Sequence, residues 1–365
     1  MINIGIECSS LCTNRPTGIA RYTTNLIDAL LEAKDFEKIF NLELFYKLSR
    51  YENRNFRYLP SGIKTKWYFG NILPLKKGID IFHCPEPKTI PWKKPKKVVT
   101  IHDLAIFKSR FQYENFSPKA FREKKRRDYE KAMRTVNSVI TISQSTKNDV
   151  IELLKVPEEK ICVVYPGVDK IFLRRDNNDI EDQEVLDSLE ISDVYFLFVG
   201  AVSVRKNLVN LIKAFNISGL AERYRLILTG ELSHGWEEIW STIKGLKLEK
   251  RIQLLGYVPD SALPVLYSNS AAFLFPTFYE GFGLPIFEAM ACGTPVMIGG
   301  EGAAPEIALG HAIVVDPHDV NSIAEGINKS LSVNASSLEE AKRYAGTFTW
   351  NRCVDKTINL YKQIL

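Results

Sequence analysis

The chain has 365 residues, 45% of them hydrophobic and 25% charged, with a formal net charge of +5. These are the proportions of a soluble globular protein, long enough for two domains that each bury a core. No apolar run approaches the roughly 18 residues that span a bilayer, and the opening Met1-Ile2-Asn3-Ile4-Gly5-Ile6 reads as a strand rather than a signal peptide.

Cys8, Cys12, Cys84, Cys162, Cys292 and Cys353 are scattered without metal-ligand spacing, as reduced, buried thiols of a cytoplasmic protein would be. The charge is uneven. Residues 1–175 hold 33 Lys and Arg against 19 Asp and Glu, whereas residues 176–365 hold 15 against 24.

In chain order, apolar runs at 2–8, 42–48, 79–83, 97–101, 138–142 and 161–164 read as buried strands. Helical patterns lie between them at about 18–33, 117–135 and 143–154. Thr17-Gly18-Ile19-Ala20-Arg21-Tyr22 opens the first helix, where Gly18 lets backbone N–H groups approach a phosphate without a Cβ in the way. Val98-Val99-Thr100-Ile101 runs into a loop that begins His102-Asp103-Leu104. A His-Asp pair there is either a structural hydrogen bond or part of a site at the end of a central strand.

Basic residues gather in Trp92-Lys93-Lys94-Pro95-Lys96-Lys97 and along the helix that starts at Ser117-Pro118, with Arg122, Lys124, Lys125, Arg126, Arg127, Lys131 and Arg134. They form either a solvated face or a surface that docks onto phospholipid headgroups or a lipid-diphosphate acceptor. No nucleic-acid-binding module is recognisable, and no aromatic residues interleave with the basic ones in the manner of such a surface. Tyr165-Pro166-Gly167-Val168-Asp169 reads as a turn. The polar stretch 171–193, with Arg174-Arg175-Asp176-Asn177-Asn178-Asp179, suits an interdomain linker.

A second strand series follows at 195–200, 224–229, 252–255, 271–275, 295–298 and 312–315. Strands alternating with helices twice over predict two consecutive α/β domains with parallel sheets, whose ligands sit at the carboxyl ends of the strands. After the first of these strands, Gly200-Ala201-Val202-Ser203-Val204-Arg205-Lys206-Asn207 leads into a helix. Two cations at a helix start oppose its dipole, and a bound anion removes the conflict. Arg205 can fork onto phosphate oxygens and Lys206 can supply a point charge, each charge-assisted bond contributing about 1.5–3 kcal/mol.

The most informative stretch is 275–296, FPTFYEGFGLPIFEAMACGTPV. Pro285 fits a first helical turn, so Glu280 stands in the preceding loop and Glu288 about one turn inside the helix. Backbone N–H groups of Gly281, Phe282 and Gly283 are expected to face one space, with Phe282 exposed. Two carboxylates beside a helix start suit a hydroxyl-rich anionic ligand such as a nucleotide sugar. The alternative is that both glutamates only favour the helix dipole, at about 0.3–1 kcal/mol each.

This stretch resembles the E-x7-E signature of the retaining glycosyltransferases of family 4. The similarity extends from Gly18 through Trp350. It implies a GT-B fold: an acceptor-side Rossmann-like domain at 1–175, a linker at 176–193, and a nucleotide-sugar-binding domain at 194–349. A final helix at 350–365 would cross back to the first domain, and the ligands would lie in the cleft between the two.

The resemblance also implies roles. Arg205 and Lys206, with Asn207, are similar to the family's R-K-N segment that grips the donor diphosphate. The Gly18 loop is similar to its Gly-Ile-Gly-Arg-Tyr loop, with Ala20 in place of the second glycine. His102 would touch the donor sugar, which Glu280 and the backbone of Gly281, Phe282, Gly283 and Leu284 would hold. Glu288 would accept from the ribose hydroxyls, Tyr257 and Val258 would lie along the nucleobase, and Arg21 and Asp103 would stand on the acceptor side. His102, Arg205, Lys206 and Glu280 are the expected catalytic set, and Glu306 after Ala304-Pro305 matches a structural or donor-side position.

No G-x-G-x-x-G follows the first strand, and neither a G-K-[ST] loop nor a paired-Asp motif occurs, so no cofactor and no metal are expected. The overall pattern looks like bacterial mannosyl- and rhamnosyltransferases of polysaccharide or O-antigen assembly. It implies GDP-mannose as donor and a glycan or lipid-diphosphate-linked acceptor, used at the inner face of the membrane. The alternatives are a UDP- or dTDP-sugar donor, an epimerase or phosphorylase of the same fold, or a non-catalytic sugar-nucleotide-binding subunit.

Overall fold

The computed structural model describes residues 1–365 except 57, 59, 70–77, 89–91, 93, 109–116 and 174–178. The expected basic residue Lys93 and the expected linker residues 174–178 lie outside the described residues. The chain divides into two compact units. The first comprises residues 1–107, 120–167 and 349–365, and the second residues 108–119 and 168–348.

The first unit is built on a parallel sheet of seven strands: β1 (Ile2–Glu7), β2 (Phe40–Lys47), β3 (Lys64–Tyr68), β4 (Ile81–Cys84), β5 (Lys96–Ile101), β6 (Ser138–Thr141) and β7 (Ile161–Val163), in the order β3-β2-β1-β4-β5-β6-β7. β4 starts two residues later and ends one residue later than the expected 79–83, and β3 was not anticipated. Its sequence KTKWY, at a sheet edge, puts three polar residues before two aromatic ones and carries no long apolar run.

The helix Gly18–Glu32 is capped by Thr17, whose hydroxyl accepts from Ala20 N at 3.4 Å. The helix Trp350–Gln363 packs in this unit, where His83 is buried between Tyr361 Oη at 2.6 Å and Thr100 Oγ1 at 2.8 Å. Gly167 lies against it so tightly that a Cβ would stand 2.2 Å from Trp350 N, which accounts for the glycine of the expected 165–169 turn.

The second unit repeats the same winding with six parallel strands: β8 (Tyr195–Val199), β9 (Arg225–Thr229), β10 (Ile252–Gly256), β11 (Ala272–Phe275), β12 (Val296–Gly299) and β13 (Ile313–Val315), in the order β10-β9-β8-β11-β12-β13. The central strands β8, β9, β11 and β12 are buried on both faces, which is why they read as apolar runs. In each sheet the strand order reverses once, between β1 and β4 and between β8 and β11. At such a point the loops leaving the two central strands run to opposite sides, which is where doubly wound sheets bind ligands.

The stretch expected as a linker carries a helix, Asp179–Ser188, and belongs to the second unit. Its polar sequence hides a single anchoring side: Leu186 and Ile191 are buried, and Asp182 Oδ2 accepts from Asn269 Nδ2 at 3.1 Å. Among the described residues no helix is long and apolar enough to cross a membrane. All six cysteines are free.

Candidate active site

The strand-order reversal of the second unit brings together the loops after β8 and β11. Beyond β8 the chain passes through Gly200, makes a short 3-10 turn over Val204–Lys206, and enters the helix Leu208–Ile217 through Asn207. Arg205 and Lys206 thus precede the helix in a turn of their own. Asn207 is left-handed, with φ 61° and ψ 29°, a conformation asparagine tolerates better than most side chains. Its Nδ2 donates to Pro276 O at 2.8 Å and to Pro317 O at 2.6 Å, tying this turn to the loops after β11 and β13.

Lys206 and Glu280, separated by 74 residues, meet as a buried ion pair with Nζ 2.6 Å from Oε1. The Lys206 ammonium also lies 5.1 Å from the centre of the Phe275 ring. Glu280 is held from behind, because its carbonyl accepts from Ala303 N at 2.9 Å and Gly302 approaches so closely that a Cβ would stand 2.7 Å from that oxygen. Arg205 is half-buried and has no ion-pair partner among the described residues.

Gly283, at φ 90°, caps the helix Leu284–Ala291, with Pro285 in its first turn. Phe282 is 2% exposed, contrary to the expectation from sequence. Its ring stacks on Phe287 at 5.2 Å and reaches Phe348 at 6.4 Å, so it anchors the Gly281–Gly283 turn to the core instead of meeting a ligand. Glu288 lies in the second helical turn and is 3% exposed. Its Oε2 accepts from Tyr267 Oη at 3.0 Å, a partner no sequence pattern pointed to.

The β10 loop completes the strand ends. Gly256, at φ 69°, accepts at its carbonyl from Gly230 N at 2.7 Å and from Thr229 Oγ1 at 3.1 Å. Beyond it Tyr257 is exposed and Val258 buried. Glu306 is half-buried in the short helix Ala304–Ala308.

The remaining expected residues belong to the first unit. Gly18 opens its helix with no left-handed φ and with open space around a would-be Cβ, so the protein's own packing does not require glycine there. Arg21 is half-buried one turn on. His102 Nε2 lies 2.7 Å from Pro85 O, and a carbonyl can only accept, so Nε2 carries the proton and Nδ1 the lone pair. Burial lowers its pKa and outweighs the opposing Pro85 bond and the Asp103 charge, which keeps the ring neutral. Tyr22 packs edge-on to it at 4.8 Å. Asp103 Oδ1 accepts from Ala105 N at 3.1 Å and starts the turn Ala105–Phe107, a structural hydrogen bond of the kind weighed from sequence. Among the described residues no group of three His, Cys, Asp or Glu is placed to hold a metal ion.

Two family descriptions match the chain: Glycosyl transferases group 1 over residues 183–347 and Glycosyltransferase Family 4 over residues 16–170. The chain is 32% identical to O-antigen chain mannosyltransferase B of Escherichia coli over 77% of its own length and 74% of that protein. It is 25% identical to O-antigen chain mannosyltransferase RfbU of Salmonella typhimurium over 92% and 93% of the two chains. It is 28% identical to the serotype-specific mannosyltransferase WbdA of Escherichia coli over 76% of its length, and spans about a third (34%) of that longer protein. Anabaena Alr3699/HepE, solved with UDP and glucose, superposes with a TM-score of 0.75 at 19% identity over 99% of this chain and 100% of that one. The GT-B fold expected from sequence is therefore present.

Proposed function

This chain belongs to glycosyltransferase family 4, and we propose that it moves a mannosyl residue from GDP-mannose to a glycan or lipid-diphosphate-linked acceptor of O-antigen or related polysaccharide assembly. That it is a glycosyltransferase follows from the family. The mannosyl group is inferred from the names of its relatives, O-antigen chain mannosyltransferases of enteric bacteria.

The observation that carries the reading is the Lys206–Glu280 pair at the strand-order reversal, beside the helix start at Gly283. A buried ammonium can follow the charge that grows on a departing diphosphate, and a buried carboxylate can hold sugar hydroxyls. Arg205 adds a guanidinium suited to phosphate oxygens. Glu288, fixed by Tyr267, is assigned to the ribose hydroxyls, and Tyr257 with Val258 to the base. For the first unit the proposal keeps the roles the family resemblance implies for Gly18, Arg21, His102 and Asp103.

We assign the reaction as retaining and independent of metal. The C1–O bond to the diphosphate breaks, the acceptor oxygen bonds to C1 on the same face, and the acceptor's proton passes to a diphosphate oxygen. The basic helix Lys119–Met133 would rest on anionic headgroups where the acceptor is presented.

The test is thermal stabilisation by GDP, UDP, dTDP and their sugars. GDP and GDP-mannose should raise the melting temperature most. A selective rise with UDP or dTDP would move the donor to that class, and no rise with any of the three would overturn the reading.

A further inference from the structure

The first sheet reverses its strand order between β1 and β4, and that point also holds a lysine–glutamate pair. Glu7 ends β1 and is 1% exposed. Lys88, in the loop beyond β4, pairs its ammonium with Glu7 Oε2 and also with Glu86 Oε1, at 2.5 Å from the latter. Tyr68 Oη, at the end of β3, donates to Glu7 Oε1 at 3.0 Å. Ser9 Oγ donates to the same oxygen and accepts from Lys47 N, at the end of β2, at 2.7 Å. His102, just beyond β5, holds Pro85 O, the carbonyl next to Glu86. Five strand ends thus converge on one charged cluster that no sequence motif announced.

The fold does not require these charges. Removing ions from water costs several kcal/mol each, and well-packed apolar residues would join the strand ends as firmly. The cluster is graded outward: Glu7 is sealed, whereas the side chains of Lys88 and Glu86 keep 17% and 20% exposure. Burial alone would raise the Glu86 carboxyl, but the paired Lys88 ammonium, with Lys125 farther off, holds it below the ordinary range, so it stays an acceptor. Two carboxylates against one ammonium leave a net negative site, which repels phosphate. Adjacent sugar hydroxyls, each both donor and acceptor, match a carboxylate beside an ammonium.

We propose that Glu86 and Lys88 bind neighbouring hydroxyls of the acceptor's terminal sugar ring, with Glu7, Tyr68 and Ser9 acting as positioning residues behind them. The ligand class is a neutral pyranose, and the acceptor's phosphate, where it has one, lies elsewhere. This inference rests on the glycosyl-transfer reading for the identity of its ligand, but its test needs no turnover.

The probe is methyl α-D-mannopyranoside, followed by saturation-transfer NMR on the full chain. Signal is expected with the unsubstituted protein and with Glu325→Gln, which changes an exposed carboxylate of the second unit. It should fall on the order of tenfold in Glu86→Gln and in Lys88→Met, as one lost charge-assisted bond implies. Inorganic phosphate should not displace the sugar. If Lys88→Met does not fold, Glu86→Gln, which keeps shape and volume, decides alone. No signal from the unsubstituted protein, full signal in Glu86→Gln, loss in Glu325→Gln, or displacement by phosphate would each overturn the proposal. Failure of nucleotides to stabilise the protein would instead overturn the transfer reading and leave this readout standing.

Discussion

Lys206 Nζ and Glu280 Oε1 stand 2.6 Å apart, joining two loops that leave neighbouring strands in opposite directions. Both are buried, so the pair couples stability to chemistry. Lys206→Ala should lower turnover by about 10²–10³, the usual loss for one donor to developing charge. It should also destabilise the protein on the order of 3 kcal/mol, because Glu280 is left buried without its cation. Adding Glu280→Gln should return most of the stability and none of the turnover. Denaturant melts and steady-state rates on the parent and the two variants check both parts; unchanged transfer in Lys206→Ala would remove the diphosphate role.

Tyr267→Phe deletes the hydroxyl that fixes Glu288 while keeping the ring in the core. The expected loss is about 1 kcal/mol of stability, together with a severalfold weaker affinity for GDP measured by calorimetry. Turnover at saturating donor should hold. A fall in kcat with affinity intact would place Glu288 in the chemistry rather than in nucleoside binding.

Burial brings the His83 imidazole down to about 3, while an unfolded histidine titrates near 6.5. The unfolded chain therefore binds the proton first. The contribution of neutral His83 is complete above pH 6.5 and drains away as the pH falls toward 3. Between pH 7 and 5 the loss from this residue should be about 2 kcal/mol. His83→Gln should flatten the slope of urea stability against pH in that window. The slope left in the variant is expected to come from His102, whose pKa burial lowers in the same direction. Parallel slopes in the two proteins would remove His83 as the cause.

Replacing Lys124, Lys125, Arg126 and Arg127 by Glu should weaken sedimentation with phosphatidylglycerol vesicles, by about 1 kcal/mol for each side chain that reaches the headgroups. The effect should shrink as salt rises. Unchanged binding at low salt would leave the helix Lys119–Met133 as a solvated face.

Much of this architecture was legible in the sequence, for a physical reason. Strands of a parallel sheet covered on both sides must be apolar throughout, so β8, β9 and β11 announce themselves. Pro285 and Gly283 likewise mark the helix start that separates Glu280 from Glu288. The partnerships were not legible. Nothing local tells Lys206 that it will meet Glu280, or Tyr267 that it will meet Glu288, because only the winding of the sheet brings them together. Phe282 was misread since a ring between two glycines looks exposed until Phe287 and Phe348 are placed beneath it. Glu7 did leave a trace: it is the one charged residue inside the largely apolar run 2–8, and a charge in that position needs a partner.

The first unit is completed by residues 349–365, which follow the whole of the second unit in sequence. On a translating ribosome, residues 168–348 can gather their own sheet before that helix has emerged. Until then His83 lacks Tyr361, and the face of Tyr22 that meets Trp350 stays open to solvent. The order of maturation is thus the reverse of the order of synthesis. Residues 1–167 expressed alone should stay unfinished, and supplying 349–365 as a separate peptide should finish them.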